Sequence, residues 1–364
     1  MTQNLRREES LNHIGWSPVW ENTFRLQRNE GLIPARVSCE HRGLYSVLTE
    51  HGEWLAEVSG RMRHNAEIPL DMPAVGDWVA AQPHAGESRC TIHGVLPRRS
   101  AFVRKAAGDR TEEQVVAANV DTVFLVSGLD HDFNLRRIER YLTLSYSSGV
   151  APVILLNKAD LCENRAQTLA EAESVARGAP VLLVSATKDE GIAKLLEYLP
   201  AGTTGALLGS SGVGKSALIN ALIGHNVFKT QPVREKDSRG RHTTTRRQLI
   251  PLSNGAALID TPGMREIQLW ADGEALGHSF GDIEGYAPEC RFSDCSHTGE
   301  PGCAVQRALA AGLIGIERFE SYLRQRKELR HLQIQQDVRL QIGEKKRWKA
   351  ILRTMKDHHK WKSR

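Results

Sequence analysis

The sequence predicts a multidomain α/β protein in three parts: a small N-terminal β-barrel of the OB type, a parallel α/β domain, and a C-terminal helical domain organised by a Cys/His cluster. Three observations carry this reading. Short β-like runs separated by Gly, Pro and charged residues fill residues 34–105. Near-continuous apolar runs alternate with helix-like segments over 106–270, the pattern of a parallel sheet covered on both faces. Cys290, Cys295, His297 and Cys303 then crowd into one short stretch. With 364 residues and 40% hydrophobic side chains, the chain can build two or three packed cores.

Residues 1–33 are polar with scattered apolar positions, among them Trp16, Trp20 and Phe24, and read as a loosely helical arm. The runs ARVSCE, YSVLTE, EWLAEVSG and DWVAAQ follow, and a five-stranded barrel fits their length; such barrels often bind nucleic acid. Next come the strand VDTVFLVSG, the helix LRRIERYLTLSYSSG, the strand APVILLNKAD, the helix AQTLAEAESVARG and the strand APVLLVSA. The alternation continues through IAKLLEYL, GALLGSSGVGKSALINALIG and AALIDTPG. Residues 271–340 hold the Cys/His cluster and helical stretches, and 341–364 form a basic tail.

The α/β segment carries a set of nucleotide motifs at strand ends, where an α/β sheet places its ligand. Gly209, Ser210, Ser211, Gly212, Val213, Gly214, Lys215 and Ser216 spell GSSGVGKS, a phosphate-binding loop between the strand GALL and a helix that opens through Ala217. Its backbone N–H groups can wrap a β-phosphate, Lys215 can reach the β/γ oxygens, and Ser216 can offer its hydroxyl to Mg²⁺. Asn157-Lys158-Ala159-Asp160 follows PVILL. A carboxylate at Asp160 can accept from the ring N–H and exocyclic amine of guanine together, a donor pair that adenine lacks. Lys158 can lie along the base, Asn157 can tie loops together, and Ser185-Ala186 ends the next strand, where the Ala186 N–H could meet the guanine carbonyl. Asp260 to Gly263 reads DTPG; Asp260 would hold Mg²⁺ through water, and the Gly263 N–H would sense the γ-phosphate. Between the two phosphate motifs lies RGRHTTTRR, in which Thr244, among Thr243–Thr245, could coordinate Mg²⁺ when GTP orders the segment.

The order of these motifs is NKAD, SA, phosphate loop, HTTT, DTPG, a circular permutation of the usual small GTPase, in which the phosphate loop comes first. A compact domain whose termini lie close together can tolerate such rewiring. The permuted order, the RHTTT segment, the barrel and the Cys/His cluster together resemble the bacterial ribosome small subunit-dependent GTPase A family, RsgA, over about residues 34–340. That resemblance implies an OB-type barrel, a circularly permuted P-loop GTPase domain and a zinc-binding helical domain. It further implies a GTP hydrolase stimulated by the small (30S) ribosomal subunit, acting late in that subunit's maturation, with the subunit and its 16S rRNA as partners. The residue after DTPG is Met264, which cannot orient water, so His242 beside the threonines is the candidate for that role, with Lys215 neutralising charge; the resemblance points to the same histidine.

Cys290-x4-Cys295-x-His297-x5-Cys303 offers three thiolates and one imidazole, a closed tetrahedral set for one structural zinc per chain. The net charge of +5 is concentrated at the end, where residues 339–364 carry ten Lys/Arg against Glu344 and Asp357, with Trp348 and Trp361 interleaved. Such a tail can lie on phosphates and stack on bases. A cytoplasmic protein without membrane association is expected, since no apolar run approaches the roughly 20 residues that span a bilayer and the opening is not signal-like; a monomer is expected as well. Two rival readings are a P-loop ATPase or kinase, which NKAD opposes, and an RNA-binding assembly module with a largely inactive nucleotide site, which intact Lys215, Ser216 and Asp260 oppose.

Overall fold

The computed structural model describes residues 11–26, 31–105, 113–130, 132–224, 247–260 and 273–330. The chain divides into two compact units, 1–268 and 269–364.

In the first unit, strands β1 (Ile33–Glu40), β2 (Tyr45–Thr49), β3 (Gly52–Val58), β4 (Trp78–Pro83) and β5 (Arg89–Val95) form the barrel. They run β1-β2-β3-β5-β4, and a second pairing of β1 with β4 closes the ring. All its pairings are antiparallel except β3 with β5. Alternate residues point inward, so the core is built from Ala35 and Val37, Tyr45 and Val47, Ala56 and Val58, Val79 and Ala81, Cys90 and Ile92. The segment read as an arm contains the helix Pro18–Leu26, and Leu11, Ile14, Trp16, Trp20 and Phe24 bury themselves against Trp78, Ala80 and Leu96 of the barrel's outer face. Trp16 meets Trp78 edge-on at 4.6 Å between ring centres. A two-stranded ribbon, β6 (Ala101–Lys105) with β7 (Glu113–Ala118), lies between the barrel and the α/β part in sequence.

The α/β part contains β8 (Thr122–Gly128), β9 (Ala151–Asn157), β10 (Val181–Leu183), β11 (Thr204–Gly209), β12 (Gln248–Pro251) and β13 (Ala257–Asp260). Their order is β10-β9-β8-β11-β13-β12, and the first five of these run parallel. Apolar side chains fill both faces: Phe124, Val126, Val153, Leu155, Leu207 and Leu258 pack on one face with Leu195, Val213, Leu218 and Ile219 from the covering segments, and Val123, Leu125, Ile154, Leu156, Leu208 and Ile259 are buried on the other. β12 is antiparallel to β13 and pairs on its other side with β1, through Cys39 and Gln248, so barrel and α/β part share one eleven-stranded sheet. The sequence reading set a boundary near residue 105 between these parts; hydrogen bonding continues across it.

The second unit holds the helices Gly273–Ser279, Gly281–Glu284 and Ala304–Ala310 and a helix over 316–330. Phe280 and Tyr322 are fully buried and meet edge-on, while Arg318 forms a two-pronged ion pair with Asp282 (2.6 and 2.7 Å) and lies over Phe280. No helix among the described residues is long and apolar enough to cross a membrane.

Candidate functional site

The parallel strands end on one edge of the sheet, and their carboxyl-terminal loops carry the motifs. Gly209 closes β11, the loop turns through Gly212 and Gly214 at positive φ, and the helix Lys215–Ile223 starts with Gly214 as its cap. Gly214 cannot be replaced without strain: at φ +96° a Cβ there would sit 2.3 Å from Asn157 Nδ2. That close approach has a purpose in the hydrogen bonding. Asn157 is buried, donates from Nδ2 to the Val213 carbonyl at 2.7 Å, and accepts from the Ala186 N–H at 3.3 Å through Oδ1. One side chain therefore joins the NKAD, Ser-Ala and phosphate loops. Lys215 Nζ donates to the carbonyls of Gly209 (2.8 Å) and Ser210 (2.6 Å), inside the turn of its own loop.

Beyond Asn157 the backbone turns through Lys158 in the left-handed region, φ +63°, which presents Asp160 on the following turn. Ser185 Oγ donates to Asp160 Oδ1 at 2.6 Å, orienting the carboxylate. Ser185 is itself buried, and Ala186 is half-buried beside it. Asp260, at the end of β13, is buried. Ser211, Ser216 and Ala217 line the partly exposed surface of the phosphate loop and its helix. Thr244, His242 and Gly263 lie outside the described residues, as do the basic tail and residues 1–10.

Sequence reasoning did not find four residues that the structure places at this edge. Lys158 Nζ forms a 2.5 Å ion pair with Asp130 on the turn after β8. Burial alone would raise the Asp130 carboxyl, but the hydrogen bond and charge of Lys158 outweigh it and hold that carboxyl below the ordinary range. Arg137, in the first turn of the helix Leu135–Ser147, donates to Ser210 Oγ at 2.6 Å and to Asp132 Oδ1 at 2.5 Å. Tyr141, one turn further on, also engages Ser210, and burial raises its phenol. The signal available was positional: SGLDHDFN follows a parallel strand at its carboxyl end, as NKAD does.

In the second unit, the four predicted ligand residues converge. Their ligand atoms all lie within 4.8 Å of one another, with Cys290 Sγ 3.9 Å from Cys303 Sγ and His297 Nδ1 3.7 and 3.5 Å from those two sulfurs. This group could hold a metal ion. Backbone N–H groups of Ala304 and Gln306 donate to the sulfurs of Cys290 and Cys303, each at 3.4 Å. Glu300 accepts from the N–H groups of Ser296 and Thr298 and from the Ser296 hydroxyl, and these hydrogen bonds take its carboxyl down to about 2. Arg326 donates to the carbonyls of Ser296 and Cys295 at 3.2 Å, tying the knuckle to the last helix.

The sequence model of the RsgA GTPase family matches residues 95–270. A small ribosomal subunit biogenesis GTPase RsgA of Opitutus terrae is 45% identical over 94% of this chain and 96% of its own length. One from Methanosarcina acetivorans is 43% identical over 95% of this chain and 93% of its own. Among solved structures, YjeQ from Thermotoga maritima superposes with a TM-score of 0.62 at 30% identity, covering 82% of this chain and 98% of that one. YloQ, described as a circularly permuted GTPase, gives 0.59 at 23% identity over 83% of this chain and 96% of its own, a likeness of fold.

Proposed function

This chain belongs to the RsgA GTPase family, and from that premise we propose that it hydrolyses GTP to GDP and phosphate on the small ribosomal subunit, late in that subunit's maturation. The observation that carries the reading is Asn157, whose amide bonds the phosphate loop on one side and the Ser-Ala loop on the other. It sets the guanine-reading Asp160 and the phosphate-wrapping 209–216 turn on one edge of one sheet, as a shared nucleotide requires.

In this reading Asp160, oriented by Ser185, accepts from the guanine N–H groups, and the Ala186 N–H meets the guanine carbonyl. Lys158 lies along the base. The amides of Gly209–Ala217 wrap the β-phosphate, and Lys215 leaves its carbonyl partners for the β/γ oxygens, where it offsets developing charge. Ser216, Thr244 and Asp260, the last through water, would hold Mg²⁺, which supplies charge neutralisation across the phosphates. Gly263 would report the γ-phosphate, and His242 would orient the attacking water, because Met264 has no group that can.

Zinc is the metal that fits the knuckle. Bond lengths of about 2.3 Å to sulfur and about 2.0–2.1 Å to nitrogen put tetrahedral edges near 3.6–3.8 Å. The separations among Cys290, His297 and Cys303, 3.5–3.9 Å, match that size, and the Cys295 sulfur lies within 4.8 Å of all three ligand atoms. Three sulfurs and one nitrogen leave no position for water, so the site is structural. The barrel, the knuckle and the basic 339–364 tail are the candidate contacts to 16S rRNA.

The test is GTP turnover by the purified protein with and without small ribosomal subunits. Slow intrinsic hydrolysis that rises strongly when the subunits are added is expected; equal rates would overturn the subunit assignment. Asp160→Asn should lose guanine nucleotide affinity and gain xanthine nucleotide affinity, because an amide can donate to the carbonyl that replaces the exocyclic amine.

A further inference from the structure

We propose that the turn after β8, with Arg137, is a brace that couples the guanine-reading loop to the phosphate loop, so that Asp130 and Arg137 are positioning residues for the nucleotide. The inference rests on the nucleotide site described above and concerns residues outside its motifs. Its basis is a chain of contacts that runs from one end of the site to the other.

At the guanine end, the Leu129 N–H donates to the Asn157 carbonyl at 2.8 Å, which pins the turn to NKAD. Asp130 Oδ2 holds Lys158, while its Oδ1 folds back and accepts from the Asp132 N–H at 3.3 Å. Gly128 leaves room for that fold, since a Cβ there would lie 2.6 Å from Asp130 Oδ1. At the phosphate end, Asp132 Oδ1 orients Arg137, which bonds Ser210 Oγ, and the carbonyl of Ser210 accepts from Lys215. One short turn therefore places a carboxylate on the lysine of NKAD and, through an arginine, a cation on the hydroxyl of the phosphate loop. Neither Asp130 nor Arg137 need touch the ligand to set where Lys158 and the Ser210 backbone sit. Lys158 is held from the β8 turn and Lys215 from within its own loop, and the β8 turn reaches the second network through Arg137 and Ser210.

A brace predicts a coupling that a local prop does not. Inosine nucleotides lack the exocyclic amine, so the ratio of GDP to IDP affinity reports how well Asp160 engages the base. The affinity ratio of GDP to GMP reports the hold on the β-phosphate. Arg137→Ala touches only the phosphate side, yet it should lower the GDP:IDP ratio as well as GDP affinity, by about fivefold or more, the usual size of a coupling between sites. Asp130→Asn should in turn lower the GDP:GMP ratio. Ser210→Ala removes a single hydroxyl and should reproduce the fall in the GDP:IDP ratio, and it keeps the proposal open to refutation if Arg137→Ala fails to fold. Affinity lost equally for GDP and IDP in Arg137→Ala and Ser210→Ala would overturn the brace. Asp160→Asn serves as the control: if the unaltered protein shows no preference for GDP over IDP, the guanine reading has failed, whereas a preference that only Asp160→Asn removes refutes the brace alone.

Discussion

Arg36 is 2% exposed, yet it carries a charge between three segments of the chain. Its guanidinium donates to the carbonyls of Ile14 and Gly76 and, 168 residues away along the chain, to Thr204 Oγ1 at 2.7 Å. Burial pushes its pKa down to about 10, opposed by Asp121 and Asp77, so it stays protonated at neutral pH. Arg36→Met would fill similar space while leaving those acceptors without a donor. A loss of about 3 kcal/mol is expected, the order for several buried groups left unpaired, and a lower urea midpoint at constant slope would register it. Asp130 gives a pH dependence. Its folded carboxyl is held below the ordinary value of 3.8, so its contribution to stability is full above that value and disappears as pH falls through the lower folded one. Asp130→Asn should therefore be less stable than the parent at neutral pH, and the gap should close in acid. Urea midpoints for both proteins, taken at steps from neutral to below 3.8, check the convergence.

At the scale of single elements, the phosphate loop is a turn shaped around another residue's side chain. Gly214→Ala would strain a φ of +96° and drive a methyl into Asn157 Nδ2, 2.3 Å away. The turn must open or Asn157 must withdraw, and nucleotide affinity should fall at least about tenfold, the equivalent of ~1.4 kcal/mol, with circular dichroism unchanged. Titration with a fluorescent guanine nucleotide measures it. The Cys/His knuckle is an element with few apolar side chains to hold it, so a chelator should remove one zinc per chain and release hydrogen-exchange protection around Cys290–Cys303, leaving β8–β13 protected. Loss of protection throughout the sheet would contradict that. These elements were legible in the sequence because each is local: four residues state the guanine reader, eight the phosphate loop, and the ligand set falls within the single stretch 290–303. Arg137 was not, since its partner Ser210 lies 73 residues on and nothing in RRIERYL points to it. Nor was the burial of Trp16 and Trp20, because their partner Trp78 lies far along the chain in a barrel strand, and the apolar run WVAA does not say which segment covers its outer face.

Across the first unit, the barrel and the nucleotide-binding layer share more than a covalent connection. The β1–β12 pairing carries the sheet from one into the other, and the Arg36 contacts join β1 to the first residue of β11, the strand that ends in the phosphate loop. Thr204 is fixed from a second direction, where its N–H donates to Asp121 Oδ2 at 2.8 Å. Unfolding either part alone would leave the β1–β12 strand edge unpaired and would part Arg36 from Thr204. A border near residue 105 follows the change in composition there; long-range strand pairing has no compositional mark, and the sheet runs on through β1 and β12. The expectation is one cooperative transition for the barrel and the α/β sheet, in which amides of β1–β5 and of β8–β13 lose hydrogen-exchange protection at the same denaturant concentration. Arg36→Met should lower both midpoints by the same amount. GDP at saturating concentration should raise both as well, although it would touch only the α/β edge, because ligand free energy is shared by every element that unfolds with the site. If GDP protected β8–β13 and left β1–β5 where they were, the barrel would be an independent folding unit, and a signal between rRNA bound at the barrel and GTP bound at the sheet edge would need a route other than this shared sheet.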